Sequence, residues 1–600
     1  MFFYDRPLRI LLITRISPQI CSHHHLTRFY AKTFYRGISF LSYSQNITTR
    51  FEQSNGTQSP TYYEIVDWWK KLDKQSDYVK LLTMGMTDAG FPLHLVIVSA
   101  DKDFNIESFK KKNKRIILIN NGIHPGEPDG IDASMLLVRD IAINKYKLPN
   151  NIVLAIIPVY NIGGCLNRSP NYRIDQNGPV EKGFRGNSQN LDLNRDFIKC
   201  DSKDAKAFAE IFHLTDPDVF IDNHVSDGAD YQHIMTLLTS QHNKLGGVMG
   251  EYLNQEFEPA LYSLMKEKGY DLVPYVNSFG DTPENGWPEY WDGPRYSSGY
   301  ATLWHSFAFV PETHMLKSYD QRVRSTYALM QCFIEFTAKN SDKIRDLRIQ
   351  TKQSVKSLAE FPISWQLDRS KWKEIIYKGY EAGRKTSEVS GLPRLYYDRS
   401  KPFEKQVKLY NYFVAKTFIQ KPKAYIIPQG WWKVIDLLKL NKVEMRPFSR
   451  DTVVEVEVYH IDDYKTLPRQ YEMHHLNSEV KISSTIEKMN FRKGDWYIPM
   501  NQAANRFLIE TLEPQAEDSY FAWNYFDAIL GQKEGFSGYA FEDIAAQYLK
   551  EHPDVKLKLD ERRVRDTVFA KNANAQLNFV YQNSPYFEPD YLRYPVYRVK

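Results

Sequence analysis

Cysteine is scarce: four in 600 residues, at Cys21, Cys165, Cys200 and Cys332, too scattered for a disulfide framework or a Cys-based zinc site. Charge of one sign is also scarce. Seventy-eight basic groups face 73 acidic ones, and a net charge of +5 gives no electrostatic footprint for nucleic acid. No run approaches about 18 consecutive apolar residues, so no transmembrane helix is expected. No internal repeat is visible. What remains is ordinary for a water-soluble globular chain, 42% hydrophobic and 25% charged, with aromatics at 14%. A chain of 600 residues exceeds one hydrophobic core, so two or three domains are expected.

Residues 1–58 lack a long periodic pattern and are expected to be a targeting or disordered segment. Leu8 to Ile16 is apolar but interrupted by arginines, so no clear export signal emerges. Cys21 with His23, His24 and His25 is a poor metal site, because neighbours in an extended chain point to opposite faces. Order is expected from Ser59-Pro60, an N-cap and first-turn pair ahead of Ile65, Trp68, Trp69 and Leu72 at helical spacing. Val79 to Met86 and Phe91 to Ser99 read as a hairpin.

The stretch with chemical content is His124-Pro125-Gly126-Glu127. It follows an apolar strand, Arg115 to Asn120, and precedes a helix over Asp129 to Asn144. Pro then Gly at the centre predicts a type II turn, which holds His124 and Glu127 within about 7 Å at their Cα atoms. An imidazole and a carboxylate that close can share one metal ion; alone, the motif reads more readily as a polar turn capping a helix. Ile152 to Tyr160 is another buried strand. Strands alternating with helices predict an α/β fold, a mixed sheet flanked by helices on both faces. Sites in such sheets lie beyond the carboxyl ends of strands. His224 stands at the end of Val219 to Asn223, and Glu312 at the end of Ser306 to Pro311. Between these segments run two loops, 161–190 with Arg168, Arg173 and Arg185, and 274–304, rich in Pro, Gly, Trp and Tyr. Long irregular loops inside a domain are usually functional. Residues 59–345 are expected to form the catalytic domain and 346–364 a linker. Residues 365–600 are read as a second α/β accessory domain, with His474-His475 on a surface strand.

In this order, H-P-G-E, then D-L-N-R at Asp192–Arg195, then a strand-terminal His and a strand-terminal Glu, the chain resembles the zinc metallocarboxypeptidases of the carboxypeptidase A type. Their zinc deacylase relatives, such as aspartoacylase, share the pattern. The resemblance covers roughly residues 59–340. It implies one zinc ion per chain held by His124, Glu127 and His224, a set that suits catalytic zinc with its three protein ligands and one open position. It further implies Glu312 as general base, Asn194 and Arg195 as binders of the substrate's terminal carboxylate, and Asp192 as the carboxylate that orients a zinc-bound histidine. Arg185 is the first choice for the oxyanion-stabilising arginine, and Arg173 the second. Tyr300 is the preferred substrate tyrosine over Tyr290 and Tyr296. Thr313-His314-Met315 departs from the family's usual residues after the glutamate, which affects fine substrate contacts.

The expected activity is hydrolysis of a C-terminal peptide bond, with a peptide substrate and no nucleic-acid partner. Two alternatives stand beside it: a zinc amidase or deacylase acting on N-acyl amino acids or cell-wall peptides, and a non-catalytic protein binding peptides or glycans on the same fold. The resemblance favours a secreted or periplasmic location. The oligomeric state is not legible.

Overall fold

The computed structural model describes residues 47–600. Cys21, His23–His25 and the apolar run at Leu8 lie outside the described residues. Order begins earlier than Ser59. Helix α1, Arg50–Gln53, is closed by a reciprocal Thr49/Glu52 capping box and buries Phe51. Helix α2, Tyr62–Gln75, starts two residues later than the Ser-Pro pair suggested, because Thr61 and Glu64 form a second capping box.

A mixed sheet organises the site. Its strands are β1 Val79–Met86, β2 Pro92–Ser99, β3 Arg115–Asn120, β4 Ile152–Ile157, β5 Val219–Asp222, β6 His224–Ser226, β7 Met235–Thr239, β8 Val273–Pro274 and β9 Phe307–His314. The order is β1-β2-β4-β3-β5-β9-β7-β8, with β6 continuing β5 alongside β9. Strands β3, β4, β5 and β9 run parallel, and the β1–β2 hairpin and β7 enter antiparallel. β3 and β4 are buried at every position, the mark of strands covered on both faces. Helix α4, Lys203–Thr215, covers one face, with Phe208, Ile211 and Phe212 joining Leu95, Leu118, Ala155 and Phe220 in the core. Helix α3, Asp129–Ala142, packs on helix α6, Tyr319–Lys339, which itself contacts β3, β4, β7 and β9.

Residues 346–364 are no open linker. Helix α7, Ser341–Ser357, fills most of that span and a strand begins at Glu360. Thr49–Lys600 is one compact unit, and one hydrophobic cluster runs from Leu93 and Phe208 through Phe361 and Ile419 to Trp523 and Val596. The C-terminal region is richer in β structure than its sequence suggested. It adds a long hairpin, Lys373–Thr386 with Pro393–Tyr410, a strand pair Glu360–Leu367 with Phe413–Gln420, and a six-stranded sheet that includes Thr452–Thr466 and Asn477–Phe491. The hairpin buries Tyr377, Val407 and Leu409 against Tyr231 and Trp287. Among the described residues no helix is long and apolar enough to cross a membrane.

Candidate metal centre and its cleft

β3 and β5 are neighbours in parallel register, Asn120 opposite Asp222, so the chain segments leaving both strands emerge side by side. His124 follows one and His224 the other. The turn at His124 is closed by Glu127 N–H donating to the His124 carbonyl at 2.8 Å. It is not type II, since the φ of Gly126 is not positive. Glycine is needed there for another reason. A Cβ on Gly126 would lie 2.7 Å from Arg173 Nε and 2.9 Å from the Gly183 carbonyl. Gly130 is fixed similarly, because a Cβ there would collide with Asn121 and Asn223 under the site. Asp129 anchors the start of α3 with Oδ2 accepting from Thr313 Oγ1 at 3.0 Å and Oδ1 from Arg322 Nε at 3.2 Å. The turn carrying His124 and Glu127 is thereby tied to the strand carrying Glu312.

The three side chains converge. Glu127 Oε1 lies 3.1 Å from His124 Nδ1, and Oε2 lies 3.0 Å from His224 Nδ1. One ligand atom from each residue falls within a 4.8 Å group, and all three side chains are buried. Bonds of about 2.0–2.1 Å at a tetrahedral angle place ligands about 3.3 Å apart, so this spacing suits zinc. The far ring nitrogens are also held. His124 Nε2 meets Asp192 Oδ1 at 2.9 Å, and His224 Nε2 meets Asp222 Oδ2 at 3.0 Å. A carboxylate behind each imidazole fixes its tautomer and leaves Nδ1 to face the ion. The donor set therefore fits a His/Glu/His zinc site. Burial alone would raise the Glu127 pKa, but Arg173, whose guanidinium donates to Oε1, and His124 hold it well below the usual carboxylate range. Burial would lower His224, yet Asp222 and Glu127 outweigh it and push its pKa well above the usual value.

Glu312 sits directly opposite His224 in the parallel β9–β6 pairing and lines the same cavity, of about 470 Å³. Burial raises its carboxyl to about 8, His224 opposes the rise, and Glu127, Asp222 and Asp227 add to it. Arg173, Arg185, Asn194 and Arg195 line the cavity too. Arg185 donates from Nε to Asp192 Oδ2 at 3.0 Å and brings Nη1 to 3.5 Å from His124 Nδ1. The side-chain carbonyl of Asn194 is buried with no hydrogen-bond partner. Asp192 accepts from the Asn194 N–H at 2.9 Å as well as contacting His124, and His124 and Arg185 hold its carboxyl low against burial.

Tyr300 is misplaced by the sequence reading. It lies on helix α5, Ser297–Leu303, turned into the core, its hydroxyl 2.6 Å from Asn441 Oδ1 and 3.0 Å from His213 Nε2. Tyr275, Tyr290 and Tyr296 line the cleft instead. His474 is not on a surface strand either; its ring pairs with Asp201 at 2.9 Å. Asp222 went unread, although positions i and i+2 of an extended segment share a face and D-N-H was visible.

Residues 65–224 match the family model for zinc carboxypeptidases, a span that holds His124, Glu127 and His224. The chain is 20% identical over 510 residues to carboxypeptidase 2 of Trichophyton equinum, and equally to that of Trichophyton tonsurans, in each case over 80% of this chain and 87% of the relative. Among solved structures, carboxypeptidase A from Helicoverpa armigera aligns at 12% identity with a TM-score of 0.37, over 52% of this chain and 81% of that one. A metallo-carboxypeptidase from Burkholderia cenocepacia aligns at 15% identity and 0.33, over 46% and 69%. The chain thus carries a zinc carboxypeptidase domain over residues 65–224, the mark of a metallocarboxypeptidase hydrolase.

Proposed function

We propose that the protein removes the C-terminal residue of a peptide at the cleft between His124, His224 and Glu312. One observation carries this reading: two imidazoles and a carboxylate meet within 4.8 Å, with Glu312 on the adjoining strand of the same cavity. Zinc held by His124, Glu127 and His224 would bring the pKa of a water to about 7 and polarise the scissile carbonyl. Glu312 takes the proton of the attacking water and returns it to the leaving amine nitrogen, the task of a carboxylate made more basic by burial. Arg185, half exposed at the cleft and anchored by Asp192, donates to the oxygen on which negative charge develops. Arg173 stays with Glu127 and balances its charge. Arg195 and the side-chain N–H₂ of Asn194, both lining the cavity, receive the substrate's free carboxylate, where a guanidinium provides paired donors. Tyr290 and Tyr296, which line the cavity, would take the part of the substrate tyrosine in this reading.

The test compares a blocked dipeptide, its C-terminal amide and an N-acetyl amino acid, each with and without a zinc chelator. Chelator-sensitive release of the terminal residue from the free-acid dipeptide alone is expected. Preference for the N-acetyl amino acid would make the protein a deacylase, and no turnover of any would overturn the reading.

A further inference from the structure

Arg195 is held weakly by its own surroundings. Its Nη1 donates to the neighbouring Asn194 carbonyl at 2.8 Å, Asp192 Oδ2 stands 3.8 Å away, and its guanidinium lies 4.5 Å from the centre of the Tyr296 ring. The remaining bond comes from 276 residues along the chain, Arg195 Nε donating to the Tyr471 hydroxyl at 2.9 Å.

Tyr471 begins a four-residue turn. Its N–H donates to the His474 carbonyl at 2.8 Å, and the His474 N–H returns the bond at 3.0 Å. The two central residues, Glu472 and Met473, have φ of +49° and +72°. Both carry side chains in the left-handed region that favours glycine or asparagine, a conformation that persists only where its surroundings enforce it. Three of the four side chains supply that enforcement, and all three reach the same segment. Tyr471 holds Arg195; Glu472 Oε2 accepts the Asp192 N–H at 2.9 Å; His474 pairs with Asp201 at 2.9 Å. Only Met473 faces solvent, 58% exposed. The Tyr471 ring is backed by Trp523, 6.3 Å away and 27° from parallel, and by the Arg295 guanidinium at 5.7 Å.

We infer that the Tyr471–His474 turn of the C-terminal region is the device that orients Arg195 for the substrate's terminal carboxylate, with Tyr471 as the positioning residue. This rests on the carboxypeptidase reading above. With Nε engaged by the hydroxyl, the guanidinium cannot present its Nε side to a ligand and is left to offer its Nη end. The C-terminal region is then part of the substrate site, and its strained turn is the contact through which it acts.

Tyr471→Phe keeps the ring on Trp523 and removes only the hydroxyl. Losing one hydrogen bond to a charged donor is expected to raise KM for the free-acid dipeptide about tenfold. The zinc content, kcat and KM for the C-terminal amide should stay within about twofold of wild type. In an Arg195→Ala background the same substitution should change nothing further, because the two side chains act as one unit. A wild-type KM in Tyr471→Phe, equal losses on acid and amide, or additive losses in the double variant would overturn the inference while leaving the carboxypeptidase reading in place. A wild-type protein with no carboxypeptidase activity would overturn both.

Discussion

Asp222 is the residue whose loss separates a prepared metal site from a chance meeting of side chains. It is fully buried, and each oxygen has one partner: Oδ2 faces His224 Nε2 at 3.0 Å and Oδ1 accepts from Asn120 Nδ2 at 2.9 Å. Asp222→Ala leaves both donors without a partner and frees the imidazole to protonate at Nδ1, the nitrogen that must face the ion. Losing such a carboxylate behind a metal-binding histidine weakens the metal by about 10–100-fold. The upper end is expected here, about 2.7 kcal/mol in binding free energy. Asp222→Asn should be milder. Its amide oxygen can take the His224 N–H, and Asn120, whose own carbonyl has no partner, can turn its amide to accept the new N–H₂. What remains lost is the charge, and about tenfold or less is expected. Zinc affinity measured by competition with a chromophoric chelator at fixed pH resolves both steps. Wild-type affinity in Asp222→Ala, or an Asn variant weaker than the Ala variant, would refute the reasoning.

Glu312→Gln should lower kcat by about 10²–10⁴-fold, the usual worth of a general base, while zinc stoichiometry is retained; near-wild-type turnover would remove Glu312 from that role. Tyr300→Phe should leave KM for a blocked dipeptide unchanged and cost about 1 kcal/mol of stability in denaturant unfolding, since its hydroxyl serves Asn441 in the core; a specific KM increase would return it to the cleft. Two buried imidazoles should each withdraw stability on mild acidification. His233 and His314 are buried neutral, each accepting a backbone N–H with one nitrogen and facing a backbone carbonyl with the other. Burial lowers both to about 4. The unfolded chain then binds more protons between about pH 6.5 and 4, and each imidazole costs about 1.4 kcal/mol by pH 5.5. A wild-type loss of stability from pH 7 to 5.5 no larger than that of the His233→Gln/His314→Gln double variant, read from urea midpoints, would contradict this.

The part of the site legible in the sequence was the part set by local rules. A Pro-Gly turn after an apolar strand brings His124 to Glu127 whatever the turn type, and a strand end presents His224 and Glu312. Side-chain direction within irregular stretches was not legible. Three tyrosines in a short aromatic-rich segment are equivalent as letters, and helix α5 turned Tyr300 inward. Gly126 was assigned to a backbone requirement when its role is to admit the Arg173 side chain. The Tyr471–His474 turn carries no glycine or asparagine at its centre, so the usual turn signal was missing, and its partners lie nearly 300 residues away. The long hairpin at Lys373–Tyr410 escaped notice because much of it is solvent-exposed, which leaves a weak apolar alternation to read. The division into a catalytic and an accessory part failed to foresee a core that runs through both.

The central claim is that His124, Glu127 and His224 hold one zinc ion. Metal analysis of the purified protein, combined with zinc K-edge absorption, tests it directly. About one zinc per chain is predicted, bound by nitrogen and oxygen donors, with its content reduced in His224→Ala. Absence of tightly bound metal, sulfur in its coordination shell, or full loading of His224→Ala would contradict the account.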